Sequence, residues 1–141
     1  MPTTTFKKVA EVMHAHGVPI ALVPTFPTEE EFAFRTKFLD EELTELKLAF
    51  EQENIVDMAD AIADIVTVAM GLGAVMGLPM DLVLDAVNHA NLTGKRLVTC
   101  ASESKRNYEF DLVKTADFVS PEEAIAVILF GSAFAWRGCD C

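Results

Sequence analysis

The chain has little positive charge, with 11 lysines and arginines against 22 aspartates and glutamates, for a formal net charge of -11. Such a surface repels a phosphate backbone, and no Lys/Arg-rich run offsets it, so nucleic acid is not an expected partner. Cysteine is also scarce. Cys100, Cys139 and Cys141 are odd in number, which argues against a complete disulfide framework and fits a reducing compartment. The terminal Cys-Asp-Cys could bind a metal, but it reads first as free thiols at a chain end. No stretch near the start combines a basic segment, an apolar run and a small-residue cleavage site. A long uncharged run, Ile65 to Met80, is interrupted by three glycines and a proline. A soluble, cytoplasmic protein with no membrane partner is expected. There is no Gly-rich phosphate loop, no Gly-x-Ser-x-Gly and no suggestive Cys/His pair, so covalent catalysis has no candidate. Period-two alternation is missing too, apart from the ambiguous "LVTCAS" and "YEFDLV".

What is present is apolar residues at helical spacing. With 141 residues, 51% of them hydrophobic, the chain can bury a sizeable core and is expected to form one domain, with a helical core at about 6–94 and an extension over 95–141. Phe6, Val9, Ala10 and Met13 predict a short amphipathic helix from Phe6 to His16, ended by Gly17. A loop with three prolines follows and leads to a Thr28 N-cap and an acidic first turn, which predicts a helix over Glu29–Glu51. A third helix is predicted from about Ile55 to Met76, stopped by Gly77 and Pro79, and a fourth from Pro79 with Gly94 past its end. In "SPEEAIAVILF", Ser120 is the expected cap and Pro121 the first helical position of a last helix. The class is all-α, a bundle of about four to five helices. The apolar run "IAVILFGSAFAW" is too short to span a bilayer and is expected at a subunit interface.

The acidic residues then become specific. At 100 degrees per residue, Phe32, Leu39, Leu43, Leu46 and Phe50 form the expected core stripe of the second helix, and Glu41, Glu42 and Glu45 lie on its flank beside it rather than on the solvated face. On that helix alone, ordinary surface glutamates explain them equally well. The third helix is apolar almost all round, as for a buried central helix, and its only charges, Asp57, Asp60 and Asp64, form one stripe. Two carboxylates about 6 Å apart repel by roughly 2 to 3 kcal/mol at an effective dielectric near 20, and burial adds to the cost. Either a cation sits there or the groups protonate. Mg2+ and Mn2+ take oxygen ligands, and two facing helices could present Glu41, Glu42 and Glu45 against Asp60 and Asp64. A di-iron bundle is the rival, but it wants two Glu-x-x-His pairs and only Glu11 to His14 has that spacing. Phe26, Phe34, Phe38 and Trp136 could stack on a base, although aromatic residues at helical spacing are core residues first. Arg35 is expected in a salt bridge.

The motifs "EELTE" (Glu41 to Glu45), "DAIADIVTVAMG" (Asp60 to Gly71) and "HANLTGK" (His89 to Lys95), with "VMHAHGVP" before them and "KTADFVSPEEAIAVIL" after, resemble the MazG and phosphoribosyl-ATP pyrophosphohydrolase type of all-α nucleoside triphosphate pyrophosphohydrolase. The resemblance implies Mg2+-dependent hydrolysis of a nucleoside triphosphate, of deoxy or noncanonical kind, to the monophosphate and pyrophosphate in pool cleansing. It implies Glu42, Glu45 and Asp64 as metal ligands, joined in this chain by Asp60, with Glu41 a further ligand or, with Glu42, a catalytic carboxylate that orients the water, Asn91 and Lys95 as substrate contacts, and a homodimer or homotetramer. The chain departs from the pattern twice. Ala61 stands where many members carry Glu, with the acid one residue earlier at Asp60 and Asp57 as a further candidate. Gly94 also separates a Thr and a Lys that are often adjacent. The alternative is a noncatalytic helical module that binds nucleotides or metals or mediates assembly.

Overall fold

A computed structural model describes residues 3–131 of the chain. The elements in order are α1 (Thr5–Ala15), α2 (Glu29–Glu51), α3 (Ile55–Val75), α4 (Met80–Gly94), β1 (Lys95–Leu97), a 3-10 turn (Ala101–Glu103), β2 (Leu112–Lys114) and α5 (Glu122–Phe130). The class is all-α, with one short hairpin near the two ambiguous segments. The chain falls into two units by its internal contacts. Its two compact units are Met1–Met80 and Asp81–Cys141, so most of α4 goes with the hairpin. The apolar run to Trp136 and the terminal cysteines lie partly or wholly outside the described residues.

In the first unit, side-chain caps start each helix. The Thr4 hydroxyl accepts from the Lys7 amide and the Thr28 hydroxyl from the Glu31 amide, each at 3.1 Å. Asn54 Oδ1 accepts from the amides of Val56 and Asp57, satisfying donors that an α-helix leaves open at its first turn. Both α1 and α2 pack on α3. Val9, Met13 and Ala74 form the core between α1 and the C-terminal half of α3, with Phe6, Ile20 and Met70 against it. The proline loop is tied down by backbone bonds from Ala21 to the Val75 carbonyl (3.2 Å) and from Thr25 to the Met76 carbonyl (2.8 Å).

Only part of the expected core stripe of α2 packs, since Leu39 and Leu46 are half-buried. The buried residues of α2 are Arg35, Glu42 and Ala49, seven apart, while Phe32, Leu43 and Phe50 are exposed, Phe50 by 69%. The face that packs is turned round the helix from the exposed apolar residues and carries Glu42. Nor is α3 buried all round. Ala61, Val68, Gly71, Gly73 and Ala74 are buried, whereas Ile55, Val56, Ile62 and Val66 are exposed. By length and composition α3 could cross a membrane, but its aspartates and its packing on α1 and α2 are those of a bundle helix.

In the second unit, β1 and β2 pair antiparallel, with Lys95 opposite Lys114, Arg96 opposite Val113 and Leu97 opposite Leu112. Each strand has three residues, too few for an alternation signal. The Thr115 amide and hydroxyl both donate to the Gly94 carbonyl, at 2.9 and 3.2 Å, closing the hairpin on the end of α4. Helix α5 begins at Glu122 with Pro121, not Ser120, in the cap position and no side-chain cap. Pro121 already has near-helical dihedrals, so the boundary falls one residue later than expected.

Gly77 is left-handed at φ 68, and a Cβ there would meet the Val23 backbone, its carbonyl carbon at 2.8 Å. Gly17 is left-handed at φ 72 with nothing near it. Gly77→Ala is therefore expected to lose at least about 2 kcal/mol of stability and Gly17→Ala about 1, read from urea unfolding midpoints.

Candidate functional site

Glu42 sits seven residues after Arg35 and seven before Ala49, on the face of α2 that packs, and it is only 7% exposed. Glu41 and Glu45 are exposed on either side of it. From α3, Asp64 is half-buried and Asp60 exposed, while Ala61 between them is 3% exposed. The position where the family pattern carries Glu is thus inside the packed interior, filled by the Ala61 methyl group, and the acid beside it, Asp60, is exposed. Asp57 is used elsewhere, since its Oδ2 accepts from the Asn54 side chain at 2.6 Å as part of the α3 cap.

Burial pushes the Glu42 carboxyl above the usual carboxylate range, and the charges of Glu45, Asp64 and Asp60 push it the same way. Glu42 Oε2 is buried with no hydrogen-bond partner. The helices therefore bring Glu42, Glu45, Asp60 and Asp64 into one electrostatic group, with Asp60 contributing least. Among the described residues no three His, Cys, Asp or Glu side chains form a ready metal-holding group. The donor set nevertheless fits a hard divalent cation. It is all oxygen, it is short of positive charge, and its most buried member has an oxygen with nothing to bind.

A cavity of about 370 Å³ opens beside Asp64 between α1, α2 and α3, walled by Val9, Met13, Phe38 and Val68, with Lys8 and Arg35 also on it. Arg35 is 9% exposed and donates to Glu31 Oε1 at 2.9 Å, one turn back on α2, as the expected salt bridge. Its guanidinium lies against α3 at Gly71, where an added Cβ would stand 2.6 Å from a guanidinium nitrogen. The glycine that ends the third-helix motif makes room for this arginine.

The sequence matches the phosphoribosyl-ATP pyrophosphohydrolase family over residues 9–91. The chain belongs to that family. No curated protein matches it. The matched residues include Glu42, Glu45, Asp60 and Asp64 and the cavity wall on α2 and α3. Family membership implies pyrophosphohydrolase activity on a nucleotide-like substrate, in a family that typically depends on a divalent metal.

The two remaining expected contacts lie in the second unit. Asn91, the last matched residue, is half-buried on α4, and Lys95 lies beyond the match on β1. Gly94 is the last residue of α4 rather than a residue past it, and Phe118 packs where its Cβ would be, 2.5 Å away. Phe26 is almost fully exposed, Phe34 meets Phe38 at 5.9 Å between ring centroids, and only Phe38 lines the cavity. Trp136 lies outside the described residues. The cavity wall from α1 was missed, because Val9 and Met13 carry only the amphipathic pattern of any packed helix.

An acid whose folded pKa is raised stabilises the fold below its ordinary pKa, and that contribution is lost as pH rises through the folded value. In EDTA, Glu42→Gln is therefore expected to raise the melting temperature at pH 7.5 and to lose that advantage at pH 4, measured by thermal unfolding at both values.

Proposed function

We propose that the chain is a Mg2+-dependent nucleoside triphosphate pyrophosphohydrolase, converting a (d)NTP to the (d)NMP and pyrophosphate in cleansing of the nucleotide pool. The observation that carries this reading is the buried, unpartnered Glu42 oxygen set among Glu45, Asp60 and Asp64. These four carboxylates would hold the cation, with Mn2+ able to replace Mg2+ on the same oxygen ligands. When bound, the cation supplies neutralisation of the polyphosphate and of the leaving pyrophosphate.

The chain's own residues do the rest by position and charge. Glu41, exposed beside Glu42, takes a proton from the water whose oxygen attacks the α-phosphorus as the bond to pyrophosphate breaks, and Glu42 shares this role. The apolar wall of Val9, Met13 and Phe38 accepts the nucleoside beside Asp64 and keeps bulk water from it, while Lys8 and Arg35 add positive charge on the same cavity. A noncatalytic nucleotide- or metal-binding module is the second reading, favoured by the lack of a ready metal-holding group among the described residues.

One assay separates them: incubation with each (d)NTP, modified-base nucleotides and phosphoribosyl-ATP, with Mg2+ or Mn2+, and detection of pyrophosphate. Release is expected from at least one nucleotide, with a loss of about a hundredfold or more in Glu42→Gln. No release from any of them would leave the binding module as the better reading.

The exposed apolar residues Phe32, Leu43 and Phe50 of α2 and Ile62 and Val66 of α3 are the basis for a homodimer or homotetramer, a second copy covering what one chain leaves open. Light scattering is expected to give a mass at least twice 15.4 kDa, and the pair Phe32→Glu and Phe50→Glu to shift it towards the monomer.

A further inference from the structure

Cations are scarce in this chain, yet residues 95–114 hold five of the eleven: Lys95, Arg96, Lys105, Arg106 and Lys114. The two arginines are matched locally. Arg96 donates to both oxygens of Glu103, at 2.8 and 3.2 Å, and Arg106 to both oxygens of Asp111, at 2.9 and 3.1 Å. Glu103 also accepts from the amide and hydroxyl of Thr99, and Asp111 from the Ser104 hydroxyl. Arg96, foremost, and then Thr99 hold the Glu103 carboxyl down at about 2. Both acids are committed to neighbours and have little charge to spare for the lysines.

Lys95, Lys105 and Lys114 face one cavity of about 560 Å³ and form no ion pair among those of the described residues. Glu109, the remaining acid of the segment, is exposed and does not line it. Lys95 and Lys114 are direct partners in the ladder. Residues opposite one another in an antiparallel pair share a face with Cβ atoms about 5 Å apart, and like charges there are destabilising. Lys114 rests its ammonium 4.6 Å from the centre of the Phe118 ring, which places the charge without cancelling it. The hairpin thus maintains a like-charge pair that an anion would relieve. Phe110, an exposed ring on the same cavity and edge-on to Tyr108 at 5.7 Å, offers an apolar face beside it.

We infer that the cavity beside the β1–β2 ladder binds a nucleoside polyphosphate, with Lys95, Lys105 and Lys114 on the phosphate chain and Phe110 against the base. The ligand needs several negative charges close together to satisfy three ammonium groups, and a flat group to use the ring. This binding does not rest on hydrolysis at the carboxylates. In EDTA those carboxylates repel a polyphosphate, so binding without divalent cations reports the hairpin alone.

The test is calorimetric titration of the full chain in EDTA with ATP, dATP and inorganic tripolyphosphate. Both kinds of ligand are expected to bind, and to weaken as salt rises. Lys105→Gln, away from the ladder, and Lys114→Gln are each expected to weaken binding about tenfold. Phe110→Ala is expected to weaken the nucleotides but not tripolyphosphate, and Glu42→Gln to leave all binding in place. Lys114→Gln also removes the like-charge pair, so its melting temperature should not fall. Absence of binding in EDTA, binding indifferent to both lysine substitutions, or tighter binding of a single-stranded oligonucleotide than of the nucleotides would overturn the inference.

Discussion

The organising constraint of the first unit is a carboxylate placed where α2 packs. Glu42 occupies a position that a two-helix contact ordinarily fills with an apolar side chain, and three further acids surround it. A buried charge without a counter-charge weakens the fold, and like-charged neighbours make the cost larger. The arrangement makes physical sense when the missing positive charge comes from a ligand. The stability given up in the free protein then becomes binding free energy for a cation and its polyphosphate.

The surrounding packing fits this role. Arg35, one heptad before Glu42, is also buried, but it carries its own counter-charge in Glu31 and a place made for it by Gly71. On the same face of α2, one ion is therefore satisfied internally and the other is left open. Small residues on α3, Ala61, Gly71, Gly73 and Ala74, let side chains and helices approach closely along it. The neighbouring apolar face of α2, with Phe32, Leu43 and Phe50, is exposed among the described residues, which separates the surface available for assembly from the surface that builds the site.

The helices were legible because their ends are chemically marked. Thr28 and the acidic turn after the proline loop set the start of α2, and its span agrees with the sequence pattern at both ends. The acidic motifs were legible as motifs, and the family match contains them. Which face of α2 packs was not, since Phe32, Leu43 and Phe50 look like core on a helical wheel and nothing local distinguishes an intrachain neighbour from another covering partner. The cavity beside Asp64 was hidden for a related reason: it is made of side chains from three helices and has no contiguous signal. The hairpin escaped because three-residue strands carry no period, and its register, which brings Lys95 opposite Lys114, is a tertiary fact.

Manganese binding followed by electron paramagnetic resonance measures the central claim without depending on which nucleotide is the substrate. The account predicts that Mn2+ loses its free-ion signal on titration into the protein, that Mg2+ restores it by competition, and that Glu42→Gln largely abolishes the effect while the protein stays folded. Mn2+ binding that is absent, or that is the same in Glu42→Gln as in the unaltered chain, would contradict it.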